Sequence, residues 1–233
     1  MNNLKKIVVL TGAGISAESG IKTFRDSGGL WEEYEIEDVA TPQAWEKNPD
    51  LVTRFYNERR KQLLTVEPNA AHFALVRLEE KYDVQIITQN VDDLHERAGS
   101  TKVLHLHGEL RKVRSSVDEK LVYTLAEDNF EVKIGDMCEK GSQLRPHIVW
   151  FGEPVPNIVR ASEMAEKCDI MIVIGTSLNV YPAAGLLEYA GFYIPKYLID
   201  PNDAPAFGLK NLKKIIKKAT IGVPQLVDEL MKG

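Results

Sequence analysis

Cysteine is scarce: Cys138 and Cys168 are the only two in 233 residues, which excludes a disulfide framework and suits a reducing compartment. Positive charge is in the minority, with 29 Lys and Arg against 34 Asp and Glu. The net charge of −5 argues against binding a phosphate backbone, so no nucleic-acid partner is expected. No apolar run approaches the roughly 18 residues of a membrane span. The run Ile7-Val8-Val9-Leu10 near the start is stopped by Thr11 and Gly12 too early for a secretion signal. Repeats and low-complexity tracts are missing too. A cytoplasmic protein without membrane contact is therefore expected, and a monomer. The basic run Lys210, Lys213, Lys214, Lys217 and Lys218 interleaves with Leu212, Ile215 and Ile216, as a solvated face over a packed one would.

What is present is 44% apolar and long enough to bury a sizeable core. Residues 7–10 form a short β-branched run ending at a glycine turn, as a buried parallel strand does. Further strands are expected at 84–88, 103–106, 148–151, 170–174 and 197–199, and helices at 70–81 and 157–167. This alternation predicts an α/β protein with a mostly parallel sheet covered on both faces. Two stretches break the rhythm and read as insertions, 31–67 and 111–144, leaving 1–30, 68–110 and 145–233 as the core of one domain. In the first, Asn48 caps a helix with Pro49 at its first position. The second is polar, with strand-like fragments at 121–124 and 131–134.

Thr11-Gly12-Ala13-Gly14-Ile15-Ser16-Ala17 follows the first strand with the spacing of a dinucleotide fingerprint. Missing side chains would let backbone approach a pyrophosphate, aided by a following helix N-terminus. The second strand ending in an acidic residue, which a hydride-transferring dehydrogenase would show next, is absent. The sequence continues instead with Thr23-Phe24-Arg25-Asp26 and Gly29-Leu30-Trp31.

These blocks resemble the opening signature of the sirtuins, and the resemblance repeats in order along the chain. Thr88-Gln89-Asn90-Val91-Asp92 with Leu94-His95, then His105-Leu106-His107-Gly108, then Leu144-Arg145-Pro146-His147-Ile148-Val149-Trp150-Phe151-Gly152-Glu153, and last Gly175-Thr176-Ser177 with Val180 and Pro182, are similar to the family's later blocks. The resemblance implies a Rossmann-like domain with a smaller inserted module. It also implies an enzyme that consumes NAD to remove acyl groups from protein lysine side chains, yielding nicotinamide and O-acyl-ADP-ribose by way of an alkylimidate. His107 would take a proton from a ribose hydroxyl, since imidazole titrates near neutrality, with Asn90 and Asp92 beside it as catalytic polar groups. By the same matching, NAD would contact Gly12, Ala13, Gly14, Ser16, Glu18, Thr23, Phe24, Arg25, Trp31, Gln89, Val91, Gly175, Thr176, Ser177, Asp200, Asn202 and Ala219. Val149, Trp150, Phe151 and Gly152 would hold the substrate.

Tyr56 and Arg59 stand three apart, on one face of the helix begun by Asn48. A guanidinium beside a phenol can bind a carboxylate. Within the family a Tyr-x-x-Arg pair, with a small residue such as Ala40 ahead of it, implies removal of succinyl and malonyl groups, with deacetylation as a lesser activity. The family's structural zinc, by contrast, is not expected. Its four cysteine positions read Ser115, Asp118, Cys138 and Gly141 here, and serine and glycine do not replace thiolates. Contacts through Leu121, Tyr123 and Ile134 are expected to hold that module instead. Two other readings stay open, a non-catalytic NAD or ADP-ribose binding module and a protein ADP-ribosyltransferase.

Overall fold

The structure is a computed structural model that describes residues 4–22, 34–176, 178, 181–203 and 210–232. Its centre is a six-stranded, wholly parallel sheet in the order β3-β2-β1-β7-β8-β9. The strands are β1 (Lys6–Thr11), β2 (Asp83–Thr88), β3 (Val103–His105), β7 (Ile170–Ile174), β8 (Lys196–Ile199) and β9 (Leu212–Ile215). Ile7, Val8, Val9 and Leu10 of β1 are all buried, because helices cover both faces.

One face packs against α4 (Ala70–Leu78) and α8 (Ala219–Lys232) through Leu75, Leu78, Val223, Leu226 and Val227. The other packs against α6 (Ile158–Glu166) and α7 (Leu186–Tyr189) through Ala161, Leu186 and Leu187. Helix α4 starts where it does because Asn69 accepts from the Ala71 amide while His72 Nδ1 accepts from the Asn69 amide, satisfying donors at its first turn.

A second core lies beside the sheet's carboxyl edge. There α1 (Ile36–Val39), α2 (Pro42–Lys47) and α3 (Pro49–Leu63) pack on a three-stranded antiparallel sheet of order β5-β4-β6, made of β4 (Gly108–Ser115), β5 (Val122–Thr124) and β6 (Leu144–Ile148). As the sequence predicts, Asn48 caps α3, its Oδ1 accepting from the Leu51 amide at 3.1 Å. That turns Val52, Phe55, Tyr56 and Leu63 inward.

Several expectations need correction. Residues 145–148, which the sequence assigns to the larger domain, pair with β4 in the small sheet. The strand expected at 148–151 ends at Ile148. Beyond it the Trp150 amide donates to the Glu153 carboxylate and the Phe151 amide to the Ala40 carbonyl, so these donors leave the ladder. Residues 131–134 form no strand, because Val132 exchanges its backbone hydrogen bonds with the Asn57 side chain on α3. The basic run at 210–218 includes the edge strand β9, whose exposed Lys213 and Lys214 discourage further strand pairing.

The second insertion is not held by Ile134, which is 47% exposed. Polar bonds fasten it instead. Asn57 pins Val132, and buried Arg60 donates to the Asn57 side chain at 2.7 Å and to the Leu110 carbonyl of β4 at 2.8 Å. Where the sequence places Ser115 and Cys138 at the family's zinc-ligand positions, Ser115 Oγ lies 2.9 Å from Ser142 Oγ, and the Cys138 thiol lies 3.3 and 3.1 Å from the two. The Val117 and Asp118 amides both donate to Ser115 Oγ.

Candidate active site

The carboxyl ends of the strands bring His105, Thr88, Thr11, Ile174 and Ile199 into one row. Strand order reverses between β1 and β7, the place where parallel α/β sheets open a crevice for ligands. A cavity of about 790 Å³ lies there and extends between the sheet and the helical module, a size common for small-molecule sites.

Two glycine loops form its floor. Gly14 donates to the Gly175 carbonyl at 2.9 Å, and a Cβ on Gly14 would stand 2.6 Å from the Gly175 Cα. Gly175 itself has φ of +60°. These glycines are thus already demanded by the contact of the β1 and β7 loops, a reason the fingerprint spacing does not reveal. The expected following helix is also different: Ala13–Ile15 and Ala17–Ser19 are two short 3-10 turns ended by Gly20 at φ +97°. Turns this short add little dipole, so no helix axis aims at the cavity here, and the Gly12 and Gly14 amides are taken by the Ile174 and Gly175 carbonyls.

Above the floor stands a connected polar group. Ser16 Oγ donates to Asp92 Oδ2 at 3.0 Å and accepts from Asn90 Nδ2 at 3.2 Å. Burial raises the Asp92 pKa to about 6 against the opposing hydrogen bonds from the Leu94 amide and Ser16. Gln89 donates to Thr176 Oγ1 at 3.3 Å, joining the β2 loop to the β7 loop. His107 Nδ1 lies 3.0 Å from the Gln89 carbonyl. A carbonyl only accepts, so Nδ1 carries the hydrogen and Nε2 keeps its lone pair. Burial lowers the His107 pKa despite that bond, which leaves the ring neutral and basic at pH 7.

Every described residue expected at the site lines this one cavity: Gly12, Ala13, Gly14, Ser16, Glu18, Ala40, Tyr56, Arg59, Gln89, Asn90, Val91, Asp92, His107, Val149, Trp150, Phe151, Gly152, Gly175, Thr176, Asp200, Asn202 and Ala219. Thr23, Phe24, Arg25, Trp31, Ser177 and Val180 lie outside the described residues. Glu18 is already engaged, its carboxylate accepting from the Thr220 amide and hydroxyl at the start of α8. Asp200 likewise accepts from the Asn202 amide at 2.9 Å.

Tyr56 and Trp150 are expected at the pocket from the sequence, whereas Arg145, Glu153 and Arg114, which brace them, have no role assigned there. Trp150 donates its indole hydrogen to Tyr56 Oη at 3.0 Å, and the Arg145 guanidinium lies 3.4 Å from the centroid of the Trp150 ring. Glu153 binds Arg145 and Arg114 together. The charged ends of the 144–153 block around an apolar centre were the available signal. Arg59 is different: its guanidinium sits 4.9 Å from the Phe55 ring centroid, and its Nε and Nη1 are buried without a hydrogen-bond partner among the described residues.

With the His107 Nε2 lone pair presented in a crevice where the strand order reverses, fold and site together are those of an α/β enzyme. The Sir2 family pattern matches residues 12–182, and the chain belongs to that family. It is 54% identical over 226 residues to an NAD-dependent protein deacylase of Bacteroides thetaiotaomicron, covering 96% of this chain and 97% of that one. Among solved structures it is similar to a Sir2 homologue mutant in complex with ADP-ribose, with TM-score 0.89, 41% identity, and 99% and 93% of the two chains covered. A Sir2 homologue–NAD complex gives 0.85 at 41% identity, covering 99% and 91%.

Proposed function

We propose that this protein is an NAD-dependent protein-lysine deacylase that takes succinyl and malonyl groups in preference to acetyl. NAD suits the residues present. The glycine loops put no side chain between backbone and a phosphate, and the Asn90–Ser16–Asp92 cluster offers polar partners for the nicotinamide end. NAD supplies a ribose whose nicotinamide is already a good leaving group. The chain's part is to hold the amide oxygen of the acyl-lysine against that sugar away from water, with Val149–Gly152 along one wall and His107 Nε2 receiving a proton from a ribose hydroxyl.

The acyl preference is carried by Arg59. Its Nη2 lies 3.5 Å from the Glu58 carboxylate, while the buried Nε and Nη1 have no partner among the described residues, so a second anionic group would complete its hydrogen bonding. Tyr56 adds a second donor: its oxygen already accepts from Trp150, so its own hydrogen is left for a ligand, and burial raises its pKa so that it stays protonated. A terminal carboxylate on the acyl chain satisfies both residues; an acetyl methyl satisfies neither. Ala40, 5% exposed, leaves room ahead of them.

Incubation with NAD and matched succinyl-, malonyl- and acetyl-lysine peptides should release nicotinamide and shortened peptide, with kcat/KM highest for the acidic acyl groups. A peptide made heavier by ADP-ribose would favour transferase chemistry, and preference for the acetyl peptide would end the acyl assignment. We also propose that the enzyme folds without structural zinc, the Ser115–Cys138–Ser142 hydrogen bonds taking that place. Elemental analysis of the purified protein should find well below one zinc per chain, and a full equivalent would refute this.

A further inference from the structure

His107 has a counterpart two residues earlier whose chemistry is the reverse. His105 Nδ1 lies 3.0 Å from the Asn90 carbonyl, just as His107 Nδ1 faces the Gln89 carbonyl. The two rings therefore grip consecutive residues of the β2 loop. Their far nitrogens differ. His105 Nε2 is 2.8 Å from the Glu96 carboxylate on α5 (Leu94–Ala98), so both of its nitrogens face groups that only accept. The imidazolium alone satisfies both at once. Glu96 and His95 of α5, Glu109 of β4 and Asp92 of the β2 loop are the titratable groups around this ring. Burial lowers the His105 pKa, but the Glu96 hydrogen bond and charge, the Glu109 charge and the Asn90 carbonyl outweigh it, and the net direction is upward.

The residue gripped is Asn90, which is held from every side. Its amide donates to Thr88 Oγ1 at 3.0 Å, and its side chain donates to Ser16 Oγ. Thr88 Oγ1 also accepts from Thr11 Oγ1, which lies 3.1 Å from His95 Nε2 on the same helix as Glu96. Helix α5 thus braces the Asn90 amide through His95 and its carbonyl through Glu96.

We propose that the His105–Glu96 ion pair is a positioning device that holds Asn90 in register with His107, so that turnover depends on His105 remaining protonated. This rests on the reading of Asn90 and His107 as the nicotinamide end of the pocket. The Glu96 side chain is 41% exposed and that of His105 9%, so the pair is partly screened on the Glu96 side, and a replacement of Glu96 that keeps its shape limits any loss of global stability. Its effect is therefore expected on geometry, where small displacements are expensive.

The test compares wild type, Glu96→Gln and Glu96→Asp between pH 6 and 9, reading nicotinamide release, KM for NAD, Tm and the side-chain nitrogen NMR signals of His105. With Glu96→Gln, the ratio of variant to wild-type kcat should be highest at pH 6 and fall by about 10-fold by pH 8.5, a modest share of what misalignment can cost. KM for NAD and Tm should hardly move, and Glu96→Asp should recover part of the high-pH rate. The His105 nitrogen signals and the Asn90 amide signal should titrate together, at lower pH in Glu96→Gln than in wild type. A loss equal at every pH, no loss at all, or an Asn90 signal indifferent to His105 would overturn the proposal. If wild type releases no nicotinamide, the functional reading fails by itself, and the NMR titration still decides the ion pair.

Discussion

Replacing Arg59 by methionine should lower kcat/KM for succinyl-lysine by about 100-fold or more while changing that for acetyl-lysine by less than about threefold. Charge-assisted hydrogen bonds are worth roughly 1.5–3 kcal/mol each, so losing a two-pronged contact accounts for that factor. Methionine keeps much of the apolar stem that packs near Phe55, so the pocket is not emptied. A second consequence separates this from generic damage. Among the described residues Arg59 Nε and Nη1 find no partner, so deleting them together with the 3.5 Å ion pair to exposed Glu58 should leave Tm within a few degrees of wild type, the scale of about 1 kcal/mol in a chain of this size. Thermal unfolding alongside kinetics with matched peptides reads both. Equal losses on the two substrates, or a strongly lowered Tm with loss of both, would remove Arg59 from the acyl pocket.

Replacing His107 by tyrosine should reduce nicotinamide release by about 1,000-fold, within the range that a positioned general base contributes. A phenol is a poor base at pH 7, and it cannot reproduce an Nδ1–H bonded to the Gln89 carbonyl with a lone pair opposite. The His107 carbonyl accepts from the Val149 amide, a backbone contact that any residue can make, so the adjoining substrate loop should keep its shape. Affinity for NAD, followed by calorimetry, should therefore change far less than turnover. In wild type the acid limb of nicotinamide release should fall below the ordinary histidine pKa of 6.5, because burial lowers that of His107 and the ring must be neutral to act. Release by the tyrosine variant within about threefold of wild type would contradict a base at this position.

The central strands were legible because β1 carries the apolar run Ile7–Leu10 and β7 is apolar throughout, short β-branched stretches that suit a strand buried on both faces. Helix α3 was legible from Asn48 and Pro49, whose local chemistry sets a helix start whatever lies around it. Where bonds run to distant residues the reading failed. Val132 looks like strand but spends its backbone on Asn57, and Trp150 looks like strand but turns away to Glu153.

By itself the sequence determined the alternating α/β architecture, the order of the motif blocks and the family they resemble, since periodicity and short spacings are properties of neighbours along the chain. The tertiary structure alone decided that Gly14 must admit Gly175, that Tyr56 accepts from Trp150 and frees its own hydrogen, and that His105 has a carboxylate beside its Nε2 where the Nε2 of His107 faces the cavity. Each of those depends on which acceptor or backbone stands opposite a group, and in these cases that partner comes from another element of the fold.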